Sequence, residues 1–375
     1  MGSPEMTLRR LYTICVAVLA AGLLAAFPTV GLAAGSFIGQ FKDLRTVATT
    51  VPMNGDLNPY GVAVVPRTVG KLVRGHVLVS NFNNSANLQG TGTTIVDISP
   101  GGNSTLFARI NAESLPGACP GGIGLTTALV VLRSGWVVVG SLPTSDGMAA
   151  TAKAGCLLVL NSSGHIVKTL SGDGINGPWD MTAFEFDDFA ALFVTNVLNG
   201  TVAAGGATVN RGTVLRIDLL IPEGRTPIEL HRRVIGSGFP ERTDPAALVI
   251  GPTGVGLSPD GTLYVADTLA NRITAIPNAL FRDESAGIGK VVSTDRPLNG
   301  PLGLTIAPNG DILTVNSGDG KLVETTPQGT QVAVKTLDSS GSPSGAGTLF
   351  GLAVIPGGRG VYFVDDATNT LNALS

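Results

Sequence analysis

The chain has 375 residues, a formal net charge of −3 and 14% charged residues, whereas an average domain has about 25% charged residues. This near-neutral balance gives no electrostatic support for binding nucleic acid, and aromatic residues at 5% leave few side chains to stack on bases. Glycine is frequent, with 51 residues, which predicts many tight turns.

The N-terminal region has the order of a secretory signal peptide. Arg9 and Arg10 precede an apolar stretch, Leu11–Phe27, which is followed by the small-residue run Gly31–Ala34. This order predicts a signal peptide at 1–34, cleaved at the end of that run, and a single domain at 35–375 that is periplasmic or secreted. The apolar stretch is slightly longer than usual, so an uncleaved signal anchor is the alternative. After cleavage we expect no contact with the membrane.

Short β-strands separated by glycine-containing turns follow along the chain, and they group into four-stranded blades. Each blade begins with an inner strand and ends with an outer strand. For the first three blades the predicted inner and outer strands are Asn58–Pro66 and Ser104–Ala108, Gly124–Leu132 and His165–Leu170, and Pro178–Phe184 and Ile228–Val234.

The stretch Gly251–Pro277 shows the repeating unit most clearly. Its first apolar run ends in the turn Ser258–Gly261, where Pro259 presets the backbone and Gly261 accepts a positive φ. A strand of residues that suit a pleated surface, Leu263–Ala266, follows this turn. Two hairpins in one short stretch predict the core of an antiparallel blade.

The unit recurs at a fixed spacing, because Pro252, Pro301 and Phe350 occupy matching positions 49 residues apart (301 − 252 and 350 − 301). A period of this length, with a turn glycine and then a strand ending in Asp or Asn, is typical of a β-propeller. The segment Leu263–Ile273, LYVADTLANRI, resembles an NHL repeat. The resemblance implies an all-β fold of four-stranded antiparallel blades.

The sequence contains six inner strands, which predicts a six-bladed β-propeller. The last blade is short, because only Thr370–Leu374 follows its second strand. We therefore predict that the N-terminal segment Phe37–Thr50 adds the outer strand of this blade and closes the ring, since an unpaired edge would invite aggregation. A seven-bladed ring is the alternative, and it requires a further blade in Leu219–Leu248.

The two cysteines of the predicted mature chain, Cys119 and Cys156, both fall in the second blade. An oxidising compartment favours their pairing as a disulfide. Such a bridge would hold the loop Ser141–Gly155, whose Ser, Gly and Ala content is typical of a mobile segment. Two free buried thiols are the alternative.

Inner strands converge on the central channel of a propeller, so the residues at their starts are the candidate ligand-binding positions. These residues are Tyr60, Trp179, Thr253, Leu302 and Phe350. The gluconolactonase, paraoxonase and phosphotriesterase propellers resemble this architecture, and in them such positions carry Asn or Asp that hold calcium. Here they supply one hydroxyl and no carboxylate, so we expect no cofactor and no metal, with a calcium site as the less favoured alternative.

Asp180 is the one candidate catalytic residue near the channel. It replaces the glycine found at the same place in other blades and could act as a general base or as a lone metal ligand. Alternatively, its carboxylate accepts hydrogen bonds from backbone N–H groups at the start of the strand. Without a partner carboxylate, the catalytic residues remain unknown at this point.

A second ring of polar residues ends the second strands of the blades. Its members are Asn81, Ser141, Asn196, Asp267, Asn316 and Asp365. Because they recur in every blade, we interpret them as turn-forming residues rather than as ligands. The alternative is that a few of them line a binding face with the loops that follow, such as Phe82–Asn84.

The sequence motifs support neither a zinc site nor a serine nucleophile. His76, His165 and His231 belong to different radial positions in different blades, and a zinc site needs at least three converging ligands. This argues against the histidine sites of the peptide-amidating and streptogramin lyases. No Gly-x-Ser-x-Gly motif lies on a strand-to-helix turn.

Two hypotheses on function follow. The favoured one is an exported, NHL-like propeller that serves as a non-enzymatic scaffold and binds an unidentified protein or small molecule on one face, with an apolar patch at Tyr60, Trp179 and Phe350. The alternative is a gluconolactonase-like or esterase-like hydrolase with an atypical or absent central metal site. Bound calcium with turnover of a lactone or ester would favour the hydrolase.

Overall fold

The computed structural model describes residues 35–294 and 296–375, and the predicted signal peptide at 1–34 lies outside the described residues. Residues Ser36–Ser375 form a single compact unit. Among the described residues, helical structure is limited to four short 3-10 turns, Ile38–Gln40, Ala112–Ser114, Ala149–Thr151 and Ala279–Phe281. Within the described ranges, no helix is both long and apolar enough to cross a bilayer.

The first strand of the chain, β1 (Leu44–Thr49), belongs to the last blade. Blade one contains β2 (Leu57–Val64), β3 (Val77–Asn83), β4 (Thr94–Ile98) and β5 (Ser104–Arg109). Blade two contains β6 (Leu125–Val131), β7 (Val137–Ser141), β8 (Cys156–Leu160) and β9 (Ile166–Leu170). Blade three contains β10 (Gly177–Phe186), β11 (Phe189–Val197), β12 (Val209–Leu220), β13 (Ile228–Asp244) and β14 (Leu248–Ile250).

The second half of the ring follows the same order. Blade four contains β15 (Pro252–Leu257), β16 (Leu263–Asp267), β17 (Arg272–Ile276) and β18 (Lys290–Ser293). Blade five contains β19 (Pro301–Ile306), β20 (Ile312–Asn316), β21 (Lys321–Thr325) and β22 (Gln331–Thr336). Blade six contains β23 (Leu349–Val354), β24 (Val361–Asp365) and β25 (Thr370–Leu374), and β1 completes it. The described residues therefore form a six-bladed propeller of antiparallel sheets.

Turn chemistry sets the hairpins, as blade four illustrates. The Ser258 amide donates to the Thr262 carbonyl at 2.9 Å, the Gly261 amide donates to the Ser258 carbonyl at 3.0 Å, and Gly261 has a φ of 82°. The Thr262 amide also donates to Oδ1 of Asp260 at 2.9 Å, which locks the turn. Each residue of β16, which follows this turn, is buried between neighbouring sheets.

The N-terminal segment closes the ring as predicted. Strand β1 pairs antiparallel with β25, with Leu44 opposite Leu374 and Thr49 opposite Thr370. This pairing joins the two ends of the described chain in one sheet and covers an edge that would otherwise be free. The prediction that Phe37–Thr50 supplies the outer strand of blade six is confirmed.

A buried carboxylate fastens the start of this segment to blade five. Oε2 of Glu324 accepts hydrogen bonds from the Ser36 hydroxyl at 2.6 Å and from the Ile38 amide at 2.8 Å, and Oε1 accepts from the Phe37 amide at 2.6 Å. Burial acts to raise the pKa of Glu324, but these hydrogen bonds hold it below its ordinary value. The carboxylate therefore anchors the residues that lead into β1.

Blade three departs from the predicted four strands. The predicted outer strand Ile228–Val234 is the first half of a longer strand, β13, and β14 adds a short fifth strand beside it. The region Leu219–Leu248 therefore extends blade three and does not form a seventh blade. Because β14 leads directly into the inner strand of blade four, the extra strand lies near the start of that strand.

Candidate functional site

Four aromatic side chains fill the centre of the ring where the inner strands begin. The ring centroids of Tyr60 and Phe350 lie 4.0 Å apart, and those of Tyr60 and Phe82 lie 4.4 Å apart. The ring centroid of Trp179 lies 5.9 Å from that of Tyr60, and the Trp179 indole N–H donates to the Val249 carbonyl at 3.1 Å. We call Tyr60, Phe82, Trp179 and Phe350 the aromatic plug.

Apolar residues from the surrounding loops cover the aromatic plug. Leu142, Leu198 and Leu248 belong to the same buried cluster as the plug. Tyr60 and Trp179 are 3% exposed and Phe350 is 6% exposed, so these residues do not form the exposed apolar patch expected from the sequence. Sequence patterning missed this burial because the covering residues come from loops and from β14.

The loops over the plug are fastened to one another by hydrogen bonds. The Gln89 side-chain amide donates to the Pro245 carbonyl at 3.0 Å, and the Thr144 hydroxyl donates to the Gln89 carbonyl at 2.5 Å. In the same region, the buried Glu241 accepts from the Asn199 amide at 3.0 Å. Burial raises the pKa of Glu241 to about 7. Contacts between different blades thus close this end of the channel.

The remaining positions at the strand starts do not fit a calcium ion. Leu302 is apolar, and Thr253 offers one hydroxyl, which already lies 2.5 Å from the Thr268 hydroxyl and 3.1 Å from the Leu302 carbonyl. Calcium takes about six to eight oxygen ligands. Among the described residues, no group of three or more His, Cys, Asp or Glu side chains is arranged to hold a metal. The donor set at the plug is therefore unsuited to a calcium ion.

The opposite part of the channel is a cavity of about 340 Å³. All six inner strands line it, with Val62, Leu129, Val255, Leu304 and Leu352 among the apolar contributors. Residues toward the strand ends are partly exposed, whereas residues at the strand starts are buried. The cavity therefore opens to solvent where the inner strands end, and we call this opening the strand-end mouth.

Asp180 lines this cavity and is 8% exposed. Its Oδ1 accepts from the Met181 amide at 2.8 Å, and its Oδ2 accepts from the Val255 amide of blade four at 3.2 Å. Burial raises the pKa of Asp180 to about 8, although both backbone hydrogen bonds act to lower it. At neutral pH the carboxyl group is therefore mainly protonated.

The glycines that match Asp180 explain why this position is special. Gly254, Gly303 and Gly351 occupy it in blades four, five and six, and a Cβ atom there would collide with the backbone of the next blade. At Asp180 the side chain is accommodated and bonds to the next blade through Val255. The carboxyl accepts backbone N–H groups, as the structural alternative expected, and it also lines the channel. Its role as a general base or a metal ligand stays a prediction.

The polar residues that end the second strands bond to nearby loops. The Asn196 side-chain oxygen accepts from the amides of Asn176 and Gly177, which lead into the inner strand of the same blade. The Asn316 side-chain amide donates to the Pro297 carbonyl at 2.8 Å, in the equivalent loop of blade five. Asp267 pairs with Arg272 at 2.7 Å. These contacts fit the structural interpretation of the ring.

The predicted disulfide is present. The sulfur atoms of Cys119 and Cys156 are bonded, with their Cα atoms 5.2 Å apart. The bridge ties the segment before β6 to the start of β8. The histidines do not converge: His76 pairs with Asp97 at 3.0 Å within blade one, while His165 and His231 lie in blades two and three.

One residue of the cavity escaped sequence analysis. Thr127 lines the cavity and lies where the pairing of β6 with β7 shifts register, between Leu125 and Leu129. The interruption of the pairing in blade two runs from Leu125 to Leu129, whereas the one in blade four runs only from Pro252 to Val255. Because a bulge adds an extra residue to the strand, the repeat pattern does not predict which residue there lines the cavity.

No family model matches the chain. No curated protein matches it either. Among solved structures, a gluconolactonase from Xanthomonas campestris is similar, with 14% identity, 88% of each chain covered and a TM-score of 0.52. A calcium-binding protein, regucalcin from Agrobacterium tumefaciens, has 14% identity over 88% of this chain and 94% of its own, with a TM-score of 0.50. A streptogramin B lyase has 14% identity over 89% and 97%, with a TM-score of 0.50.

The chain shares its fold with these proteins. At this level of identity the likeness concerns the six-bladed propeller and not the chemistry of a site. The six blades of this chain match the six-bladed architecture of these neighbours.

Proposed function

We propose that the protein acts on a small carbonyl compound in the central cavity, as a metal-independent ester or lactone hydrolase. The observation that carries this proposal is the buried carboxyl group of Asp180 at the inner end of a cavity that opens to solvent. A buried acid of raised pKa beside a cavity is a common device of catalytic sites. The fold shared with a gluconolactonase is compatible with this class of reaction.

The hydrogen bonds of Asp180 determine what the carboxyl can do. Each oxygen already accepts one backbone N–H, from Met181 and from Val255. The proton of the neutral carboxyl is then available to donate to a carbonyl oxygen in the cavity. A donor aimed at a developing oxyanion stabilises the transition state for addition to that carbonyl.

The reaction balances with water as the second reactant. A water oxygen bonds to the carbonyl carbon, and the π electron pair moves to the oxygen that Asp180 holds. When the carbonyl re-forms, the bond to the alkoxy oxygen breaks, and that oxygen leaves as an alcohol with a proton from the attacking water. Without a positioned general base, we expect slow turnover.

Hydrolysis of δ-decalactone and phenyl acetate tests the proposal. Because the neutral carboxyl is the active form and its pKa is about 8, we expect kcat/KM to fall as the pH rises through about 8, after subtraction of the spontaneous rate. Asp180→Leu removes the donor and should abolish the enzymatic rate. Thr314→Val, a buried change outside the cavity, is the control. Turnover that is absent, or equal in Asp180→Leu, would refute the proposal.

A binding scaffold is the second candidate, and the closed aromatic plug favours it. Apart from Thr253, the positions that the resemblance assigns to a metal are apolar or aromatic here, which suits packing better than acid–base chemistry. The scaffold predicts retention of a partner without turnover of either substrate. Export to the periplasm or the medium remains part of both proposals, and the Cys119–Cys156 disulfide fits an oxidising compartment.

A further inference from the structure

The face of the ring on which the strand-end mouth opens carries charges of opposite sign on its two sides. Loops that join the first strand of a blade to the second, and the third to the fourth, form this strand-end face. In blades one and two these loops are 65–76, 99–103, 132–136 and 161–165. They contain no Asp or Glu and four exposed cations, which we call the basic side: Arg67, Lys71, Arg74 and Arg133.

The corresponding loops of blades three and four have the opposite balance. They are 187–188, 221–227, 258–262 and 277–289. Their cations are Arg225 and Arg282, against six exposed acidic residues. We call these six the acidic side: Asp187, Asp188, Glu223, Asp260, Asp283 and Glu284. Blades five and six have two charges of each sign on this face: Asp43, Asp311, Lys42 and Arg359.

Most of these charges have no ionic partner within the molecule. In residues 35–294 and 296–375, no side chain of the basic side forms a salt bridge, and on the acidic side only Asp283 does so, 3.6 Å from Arg216 and 3.9 Å from Arg233. Glu185 lies beside Arg133, but its carboxylate accepts hydrogen bonds from the main-chain amides of Arg133 and Ser134. The charges on both sides are therefore free to meet charges of a partner.

The loop 65–76 holds the cations of blade one in a fixed hairpin. The amides and carbonyls of Val69 and Leu72 exchange two hydrogen bonds of 3.0 Å, and Gly70 between them has a φ of 58°. Leu72 is fully buried, and the Lys71 amide donates to the Ser162 carbonyl of blade two at 2.9 Å. This loop therefore presents its cations from an ordered backbone, so little conformational entropy is lost on association.

The loop 277–289 is also fixed, by a buried arginine of blade three. Arg216 is 2% exposed and donates to the carbonyls of Leu280 at 2.9 Å and Arg282 at 2.8 Å. The side chain of Asp283, which follows, is 72% exposed. Arg216 thus orders the segment that carries Asp283 and Glu284.

The positions of the blades make this face complementary to itself. Neighbouring inner strands pack in chain order, and β23 packs on β2, so blade one lies opposite blade four in the ring. A line that passes between blades two and three, and between blades five and six, separates the basic side from the acidic side. Rotation by 180° about this line places a second copy face to face with the first. Blade one then lies over blade four of the second copy, and blade two over blade three.

We propose that the strand-end face is the interface of a symmetric dimer, in which the basic side of each copy binds the acidic side of the other. Apolar side chains exposed on the same face add area to bury: Val73 is 41% exposed, Phe186 47% and Phe281 43%. An anionic membrane fits this face less well, because it would repel the acidic side. The two strand-end mouths face each other in the dimer, and the inference does not depend on the reaction proposed for the cavity.

Sedimentation velocity over a range of protein concentrations tests the inference. We expect dimers of the unmodified protein at about 20 mM NaCl, and a dissociation constant at least about tenfold higher at about 500 mM NaCl, because salt screens exposed charges. A monomer at the lower salt concentration would overturn the inference.

Charge reversal shows which surfaces meet. Lys71→Glu with Arg74→Glu should weaken the dimer at least about tenfold, because twofold symmetry repeats the change at both contacts. The matched control is Arg109→Glu with Lys153→Glu, which changes the net charge equally at two exposed cations outside the strand-end face. The control should change the dissociation constant far less. Equal weakening by both pairs would overturn the inference.

Glu284→Lys on the acidic side completes the test. Alone it should also weaken the dimer. Mixed with the Lys71→Glu, Arg74→Glu variant, it should form a heterodimer with about the affinity of the unmodified protein, because each altered side then meets a side of opposite charge. Such restoration would also show that both variants are folded, and its absence would contradict the pairing of blade one with blade four.

Vesicles that contain anionic phosphatidylglycerol test the other partner for the basic side. We expect the dimer not to bind them, since its basic sides are covered. Binding of a monomer to these vesicles that is lost in Lys71→Glu with Arg74→Glu would assign the basic side to a lipid surface and overturn the dimer.

Discussion

Replacement of Asp180 by asparagine should change how stability depends on pH. In the folded protein the pKa of Asp180 is raised from 3.8 to about 8, chiefly by burial. A raised carboxyl pKa means that its contribution to stability is fully present below about pH 4 and is lost as the pH rises to about 8. Asparagine does not ionise, so the Asp180→Asn variant should not lose stability through this residue as the pH rises.

The size of the effect follows from the linkage between protonation and folding. One pKa unit corresponds to about 1.4 kcal/mol, so the unmodified protein should lose about 4 kcal/mol through Asp180 between about pH 5 and pH 8. Asp180→Asn also loses one acceptor, because its NH₂ group faces the Val255 or the Met181 amide. This costs about 1–3 kcal/mol at every pH. The difference in stability between the two proteins should therefore move by about 4 kcal/mol in favour of the variant across this window.

Urea unfolding at a series of pH values measures this difference. Other groups with raised pKa values, such as Glu241 and Asp366, titrate in both proteins and cancel in the comparison. Parallel stability curves for the unmodified protein and Asp180→Asn would show that burial of the carboxyl does not govern its ionisation. The assignment of Asp180 as a neutral donor at pH 7 would then be wrong.

Three further predictions concern the ring, the plug and the disulfide. Glu324→Gln weakens the anchor of the N-terminal segment, so the Phe37 amide should exchange hydrogen at least tenfold faster, because charge-assisted hydrogen bonds are the stronger kind. Tyr60→Ala empties part of the plug and should cost about 3–5 kcal/mol in urea unfolding, whereas Tyr60→Phe should cost far less. Cys119→Ala with Cys156→Ala opens a loop of sequence separation 37, which should cost about 4 kcal/mol and abolish any effect of reductant on melting.

Each of these has a clear opposing result. An unchanged hydrogen-exchange rate of the Phe37 amide in Glu324→Gln would mean that the pairing of β1 alone holds the N-terminal segment. Equal stability of Tyr60→Ala and Tyr60→Phe would contradict the packed plug. A protein without the two cysteines that still melts at a lower temperature in reductant would show that the reductant acts elsewhere.

Much of the fold was predictable because its determinants are local. The spacing of Pro252, Pro301 and Phe350 fixed the blade period, and turns such as Ser258–Gly261 marked the hairpins. The short last blade predicted the pairing of the N-terminal segment. Both cysteines fell in one blade, and the structure joins them. The extra strand of blade three was not predictable, since the extended strand β13 carries no repeat pattern.

The candidate site was predictable only in part. The strand-start positions Tyr60, Trp179 and Phe350 were identified, and the structure brings them together, but as a buried plug. Asp180 was identified from the glycine that it replaces. Thr127 was missed because a register shift within one strand has no clear mark in a single sequence.

The sequence by itself determined that the chain repeats a four-stranded unit around a ring, which residues begin the inner strands, and that those positions lack the carboxylates of a calcium site. Only the tertiary structure decided which end of the channel is closed and which side chains remain available in the cavity. The physical reason is that alternation and turn residues act over a few positions, whereas burial and pKa depend on groups from several blades. The raised pKa of Asp180 comes from its burial among the inner strands of several blades.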